Sequence, residues 1–177
     1  MALSKIFDEI LIEHYLEEVF DFDNIEPYDV NTLGFGKYSF DISGGVTCSV
    51  RVEDVTKDRQ FIEFNPARSD IKQVFNASFD INGVDSQYSI ETLKVYLRIM
   101  LTVKSCISEF IVDNNPECVV IIPFSKQDIP TTDAQKQNIY RHIWRKHPIS
   151  GYGISSAKIK SFDALCLYRI SRSIKKQ

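Results

Sequence analysis

No stretch of the 177 residues is long and apolar enough to cross a bilayer as a helix. Met1-Ala2-Leu3-Ser4 runs into residues broken by charge, not into a continuous apolar core, so no signal peptide is expected. No Gly-rich loop ends in Lys-Ser or Lys-Thr, and neither H-E-x-x-H nor G-x-S-x-G occurs. Nucleotide phosphate transfer of the P-loop kind, zinc proteolysis and nucleophile-elbow hydrolysis therefore lack their motifs. Only three histidines are present, two of them in one basic stretch, which leaves few ways to assemble a Ser-His-Asp triad. The four cysteines form no C-x-x-C and have no histidine at ligand spacing. Cys48, Cys106, Cys118 and Cys166 lie inside apolar patterns and read as buried thiols in a reducing compartment. No metal ligand set and no cofactor is expected. Adjacent carboxylates such as Glu17-Glu18 and Glu53-Asp54 point in different directions and suit solvation better than acid–base work.

What the chain does contain is charge sorted by position. Up to Asp29 it carries Asp8, Glu9, Glu13, Glu17, Glu18, Asp21, Asp23, Glu26 and Asp29 against Lys5; from Lys136 onward it carries ten Lys or Arg against Asp163. Two solvated faces explain this layout, as do two binding surfaces of opposite sign or an acidic arm laid on a basic end. The net charge of −3 is unremarkable; with neither a signal peptide nor a membrane span expected, the chain is expected to be soluble and cytoplasmic, or to act in a host cell or virion if virus-encoded.

The strongest periodic signal starts at Ser89. Leu93, Tyr96, Leu97, Met100, Val103, Ile107, Phe110 and Ile111 recur at spacings of three and four, with Glu91, Lys94, Arg98, Thr102, Ser105 and Glu109 on the opposite face. Ser89 is placed to cap this helix and Pro116 to end it. Val119-Val120-Ile121-Ile122 follows without alternation, as a strand covered on both faces does.

Ahead of this lies an acidic amphipathic helix over residues 1–20, with Leu3, Ile6, Phe7, Ile10, Leu11, Tyr15, Val19 and Phe20 on one face. A connection over 21–37 shows no sustained period. From Tyr38 the period is two: Tyr38, Phe40 and Ile42; Val46, Cys48, Val50 and Val52; Phe61 to Phe64; then Phe75, Ala77, Phe79 and Ile81. Short connections predict a four-stranded antiparallel meander. Beyond the central strand, Thr132-x-x-Gln135 has the form of a capping box for a shorter helix with Ile139, Tyr140 and Ile143 inward and Lys136, Arg141, Arg145 and Lys146 outward. A closing strand at Phe162 to Ile170 leads to a basic tail, 172–177.

The order of a meander, a long helix, an apolar strand, a helix and a closing strand resembles the GNAT acetyltransferase superfamily, so the fold class expected over residues 38–171 is an α+β, GNAT-like mixed sheet. The chain also resembles a group of small tailed-phage proteins of unassigned role, through Pro116, Val119 to Ile122, Gln137 to Tyr140 and Gly151-Tyr152. The acetyltransferase resemblance implies a coenzyme A loop at Asn82, Gly83, Val84, Asp85 and Ser86, and a proton donor to the leaving thiolate at Tyr140. That loop offers one glycine, no arginine, and a carboxylate at Asp85 where a diphosphate would sit. The expectation is therefore a non-catalytic protein-interaction domain, phage-encoded, serving as a virion or assembly component or a host-targeting factor. Phe7, Leu11 and Tyr15 form its expected docking element, and Arg141, Trp144, Arg145 and Lys146 a second surface. The alternatives are an acyl-coenzyme A-dependent N-acyltransferase, and a nucleic-acid-binding protein using the interleaved aromatic and basic residues from Tyr140 to His147.

Overall fold

The computed structural model describes residues 24–65, 70–82, 93–121, 133–160 and 162–170. They form one eight-stranded mixed sheet and two α-helices. In chain order the strands are β1 (Asn31–Gly34), β2 (Lys37–Ser43), β3 (Val46–Asp54), β4 (Ile62–Asn65), β5 (Val74–Asn82), β6 (Cys118–Ile121), β7 (Tyr152–Ile159) and β8 (Phe162–Arg169). Helix α1 (Leu93–Asn114) joins β5 to β6, and α2 (Asp133–Lys146) lies between β6 and β7. The spatial order is β1-β2-β3-β5-β6-β8-β7-β4, and β5 with β6 is the one parallel pair among these strands.

Alternation decides which side of the sheet is dry. Tyr38 and Phe40 of β2, and Cys48, Val50 and Val52 of β3, are buried with Tyr96, Met100, Phe110, Ile143 and Trp144 in a core that includes both helices. Ser39, Thr47, Ser49 and Arg51 occupy the alternate positions, and Arg51 reaches Asp80 on β5 at 3.3 Å. β6 is buried on both faces: Val119 and Ile121 join the helix-side core, whereas Cys118 and Val120 join a smaller one with Ile71, Val74, Ala157, Ala164 and Cys166. A parallel strand reached by a helical crossover has this two-sided burial because its neighbours cover both faces.

The expected GNAT-like arrangement of a four-stranded meander followed by helix, strand, helix and strand is corrected in three places. Ile62–Asn65 does not lie between β3 and β5, which pair directly from Thr47↔Asn82 to Asp54↔Phe75. It pairs with β7 at the opposite edge, Ile62↔Ile159 to Asn65↔Ser156. The cause is the 3-10 turn Thr56–Phe61. Asp54 Oδ1 accepts from Thr56 N at 2.8 Å, Val74 N donates to Thr56 Oγ1 at 3.1 Å, and Val55 N donates to Val74 O at 2.9 Å. These bonds hold the chain across the start of β5 and lead it out of the meander, where Ile62 and Phe64 pack on the smaller core. The other two differences are additional strands, β1 inside the expected connection and β7 where a loop was expected after Gly151. The expected helix over 1–20 and the tail 172–177 lie outside the described residues, as does the Ser89 cap.

The remainder of the expected connection is anchored to α1. Arg98 Nε donates to Glu26 O at 2.8 Å, and its guanidinium lies 3.9 Å from the centroid of the Tyr28 ring, which stacks on Phe40 at 5.5 Å. Tyr28 N donates to Thr102 Oγ1 at 2.9 Å, and that hydroxyl donates to Arg98 O at 2.8 Å. Thr102, expected on the solvated face, is therefore fully buried with its polar atom satisfied. Helix α1 packs on the sheet, and Ile25, Tyr28 and Val30 pack against the same core beside it.

The end of α1 shows how one turn can hold two strands. Asn115 adopts a left-handed conformation at φ 45° and donates its N–H to Ile111 O at 2.9 Å, which ends the helix just before Pro116. Tyr152 Oη donates to Pro116 O at 2.5 Å, and Arg169 Nη1 donates to Asn115 O at 3.0 Å. Glu117 Oε2 accepts the N–H groups of Lys72 at 2.6 Å and Gln73 at 3.2 Å. The Lys72 N–H first, then that of Gln73 and the Arg169 charge, hold the Glu117 carboxyl below its ordinary 4.5. A carboxyl depressed by folding adds stability above its unfolded pKa and loses it as pH falls through the folded value. Glu117→Gln is thus expected to cost roughly 1 kcal/mol at pH 7. The difference from wild type should shrink below pH 4.5, which urea midpoints at pH 7 and at about pH 3.5 will show.

Candidate interaction surface

Among the described residues, the exposed large apolar side chains are Leu33, Phe35, Val112 and Ile170, and two of them, Leu33 and Phe35, sit together where β1 turns into β2. Gly34-Phe35-Gly36 turns β1 into β2, and the turn leaves Phe35 67% exposed while its ring packs on buried rings. Its centroid is 5.4 Å from that of Phe110 at 72°, and Phe110 is in turn 5.1 Å from Phe75 at 63°. An aromatic side chain so seated is both accessible and fixed, because edge-to-face contacts define its orientation. Leu33 on β1 is 65% exposed, and Val112, two residues beyond Phe110 on α1, is 73% exposed. All four β1 side-chain positions are exposed, and none carries a charge. Among the described strands β1 is the edge of the sheet and carries no charge, and an edge strand can pair with a further strand.

Acidic groups border this patch. Glu109 and Asp113 are exposed on α1 and act on the Tyr38 phenol of β2, which is pushed up to about 12 by burial and, secondarily, by these two carboxylates and Cys106. The β1–β2 turn is apolar at Leu33 and Phe35, and Glu109 and Asp113 lie near the following strand at Tyr38.

The residues singled out from sequence fall elsewhere. Phe7, Leu11 and Tyr15 lie outside the described residues, as do Gly83, Val84, Asp85 and Ser86; Asn82 is exposed at the end of β5. Arg145 and Lys146 are exposed in the last turn of α2, where cations suit the negative end of the helix. Arg141 is half-buried and donates from Nη2 to Ser156 Oγ on β7 at 3.2 Å. Trp144 does not join them on the surface: it is 1% exposed, in the core, with Lys104 Nζ 5.3 Å from its ring centroid. Burial lowers the pKa of that Lys104 ammonium.

No family model, curated protein or solved structure matches the chain.

Tyr140 is the second position of interest. Its ring is buried, 6.4 Å from that of Phe79, and its hydroxyl has no hydrogen-bond partner among the described residues. Burial first, then Tyr96 and Cys48, push this phenol well above its ordinary range, so it stays protonated. It lies on α2, which follows the end of β6, and Phe79 is on the half of β5 beyond its last pairing with β6 at Ala77↔Ile121. Among the described residues, no group of three or more His, Cys, Asp or Glu side chains could hold a metal ion. No helix among them is long and apolar enough to cross a membrane.

The interaction patch was missed in the sequence because its residues follow no period. An aromatic residue flanked by glycines in Leu33-Gly34-Phe35-Gly36 was the available signal, since a core aromatic seldom sits in so tight a turn.

Proposed function

We propose that the chain is a non-catalytic protein-interaction domain whose described docking surface is the β1 edge with Phe35 as its anchor. The observation that carries this reading is a large aromatic side chain two-thirds exposed yet held by buried rings. Preformed aromatic anchors of this kind dominate binding because little side-chain entropy is lost on docking. The occupant is an extended protein segment, apolar at its centre to meet Leu33 and Phe35. It is basic at its flank to meet Glu109 and Asp113, and it adds a strand to β1. The apolar residues Phe7, Leu11 and Tyr15, singled out from the sequence, are a second proposed docking element. The resemblance to tailed-phage proteins makes a virion or assembly component, or a host-targeting factor in the cytoplasm, the proposed setting.

An array of apolar pentapeptides flanked by lysine tests the reading directly. The chain is expected to bind a subset at micromolar strength, and Phe35→Ala to weaken that binding at least tenfold, about 1.4 kcal/mol. Equal binding by wild type and Phe35→Ala would sink the assignment. A chain lacking residues 1–21 should stay folded and lose a partner or its self-association; unchanged binding after that truncation removes Phe7, Leu11 and Tyr15 from the interface.

A second reading, acyl transfer from a coenzyme A thioester, is favoured by the protonated, unpartnered Tyr140 hydroxyl. Calorimetric titration with acetyl-coenzyme A distinguishes the two, saturable binding favouring the enzyme. Nucleic-acid binding has lost its stacking group, because Trp144 belongs to the core.

A further inference from the structure

Two of the four cysteines meet in the smaller core. Cys118 on β6 faces Tyr168 in the ladder, and Cys166 on β8 faces Val120, so the two are diagonal neighbours on one side of the sheet. Their sulfur atoms are 3.2 Å apart, with one thiol donating to the other, and both residues are fully buried among Ile71, Val74, Ala157 and Ala164. Two sulfurs this close require an approach of only about 1.2 Å to reach the covalent separation of about 2.05 Å.

We propose that Cys118 and Cys166 are a redox-sensitive cross-strand pair, which a peroxide converts to a disulfide tying β6 to β8. One sulfur, as thiolate, attacks a peroxide oxygen; the O–O bond breaks, and the sulfur becomes a sulfenic acid as hydroxide leaves. The second sulfur attacks the sulfenic sulfur, the S–O bond breaks, and the oxygen leaves as water. The net change is two thiols and one hydrogen peroxide to one disulfide and two waters. Full burial makes the first step depend on local opening at β6 and β8, so the bond forms slowly in the native chain. Cys48 and Cys106 stay out of this chemistry. Both lie in the larger, helix-side core, apart from the smaller core that holds this pair.

The bond would close a loop between residues 48 apart, enough to restrict the unfolded chain strongly. The test uses the purified full chain treated with hydrogen peroxide, then denatured and alkylated without reductant. The expected result is an intact mass lower by about 2 Da before alkylation. Two cysteines should be blocked instead of four, with a peptide containing Cys118 joined to one containing Cys166. The thermal midpoint should rise by roughly 5–10 °C and return on treatment with dithiothreitol. Both Cys118→Ala and Cys166→Ala should abolish the mass change, while Cys48→Ala should retain it. Four alkylated cysteines after peroxide, a linkage through Cys48 or Cys106, or an undiminished mass change in either Cys118→Ala or Cys166→Ala would overturn the proposal.

Discussion

Trp144→Ala is expected to lower folding stability by about 3–5 kcal/mol, the usual cost of emptying a buried aromatic site. The indole is 1% exposed and belongs to the core that both helices share with the sheet. A loss of that size is a large share of the 5–15 kcal/mol that a domain typically has. The unfolding midpoint in urea measures it, and Trp144→Phe should retain most of the packing. Lys104→Met isolates the cation over the ring, with an expected loss of about 0.5–1 kcal/mol. The outcome also separates two roles for the same residue. A stacking platform for nucleic acid would leave the midpoint unchanged and remove binding alone; a core residue does the reverse.

Gly36→Ala is expected to cost about 2–4 kcal/mol, from two causes that add. Gly36 has φ +62°, a region that costs an L-residue about 1 kcal/mol or more. An added methyl group would also run into the backbone carbonyl oxygen of Val52, with the carbonyl carbon at 3.3 Å. That carbonyl has little freedom to move aside, because β3 is paired with β5 through Val52↔Ala77 and Glu53↔Asn76. Gly44→Ala supplies the comparison. Gly44 has φ +59° in the β2–β3 turn with open space where a methyl would go, so only the backbone cost of about 1 kcal/mol applies. Thermal midpoints of the two variants should differ by several degrees; equal midpoints would mean that β2 yields at this turn. Since Gly36 follows Phe35, the same substitution should also weaken binding to the peptide array.

The strongly periodic stretches were legible. The spacing of Tyr96, Leu97, Met100, Val103, Ile107 and Phe110 coincides with the buried side of α1, and the apolar run at Val119 to Ile121 coincides with β6. Alternation from Tyr38 to Val52 marks the inward faces of β2 and β3, and Gly44-Gly45, at φ 59° and 78°, makes the tight hairpin turn that their sequence suggested. Pairing partners were not legible. Phe61 to Phe64 has strand composition and short connections on either side, which favours a neighbouring position in the meander. Tertiary contacts on the smaller core and hydrogen bonds to Thr56 outweighed that local preference. β7 escaped notice because Gly153 and the half-buried Ser155 and Ser156 break its alternation. Its glycine is required: a methyl group there would run into the ring of Tyr168 on β8. Most of the interaction surface was invisible for the opposite reason, since exposure of Leu33 depends on what the fold leaves uncovered.

The two outer edges of the sheet, β1 and β4, both come from the first 65 residues, while β7, which β4 must find, is Tyr152–Ile159. During synthesis, Ile62–Asn65 emerges from the ribosome and waits, unpaired, while the long helix and the centre of the sheet are still being made. Chain elongation at about 5–20 residues per second sets that interval at several seconds. Completion of the far edge is therefore a late, post-central event, and overproduction at high temperature should trap chains through this waiting strand before any other part of the molecule fails.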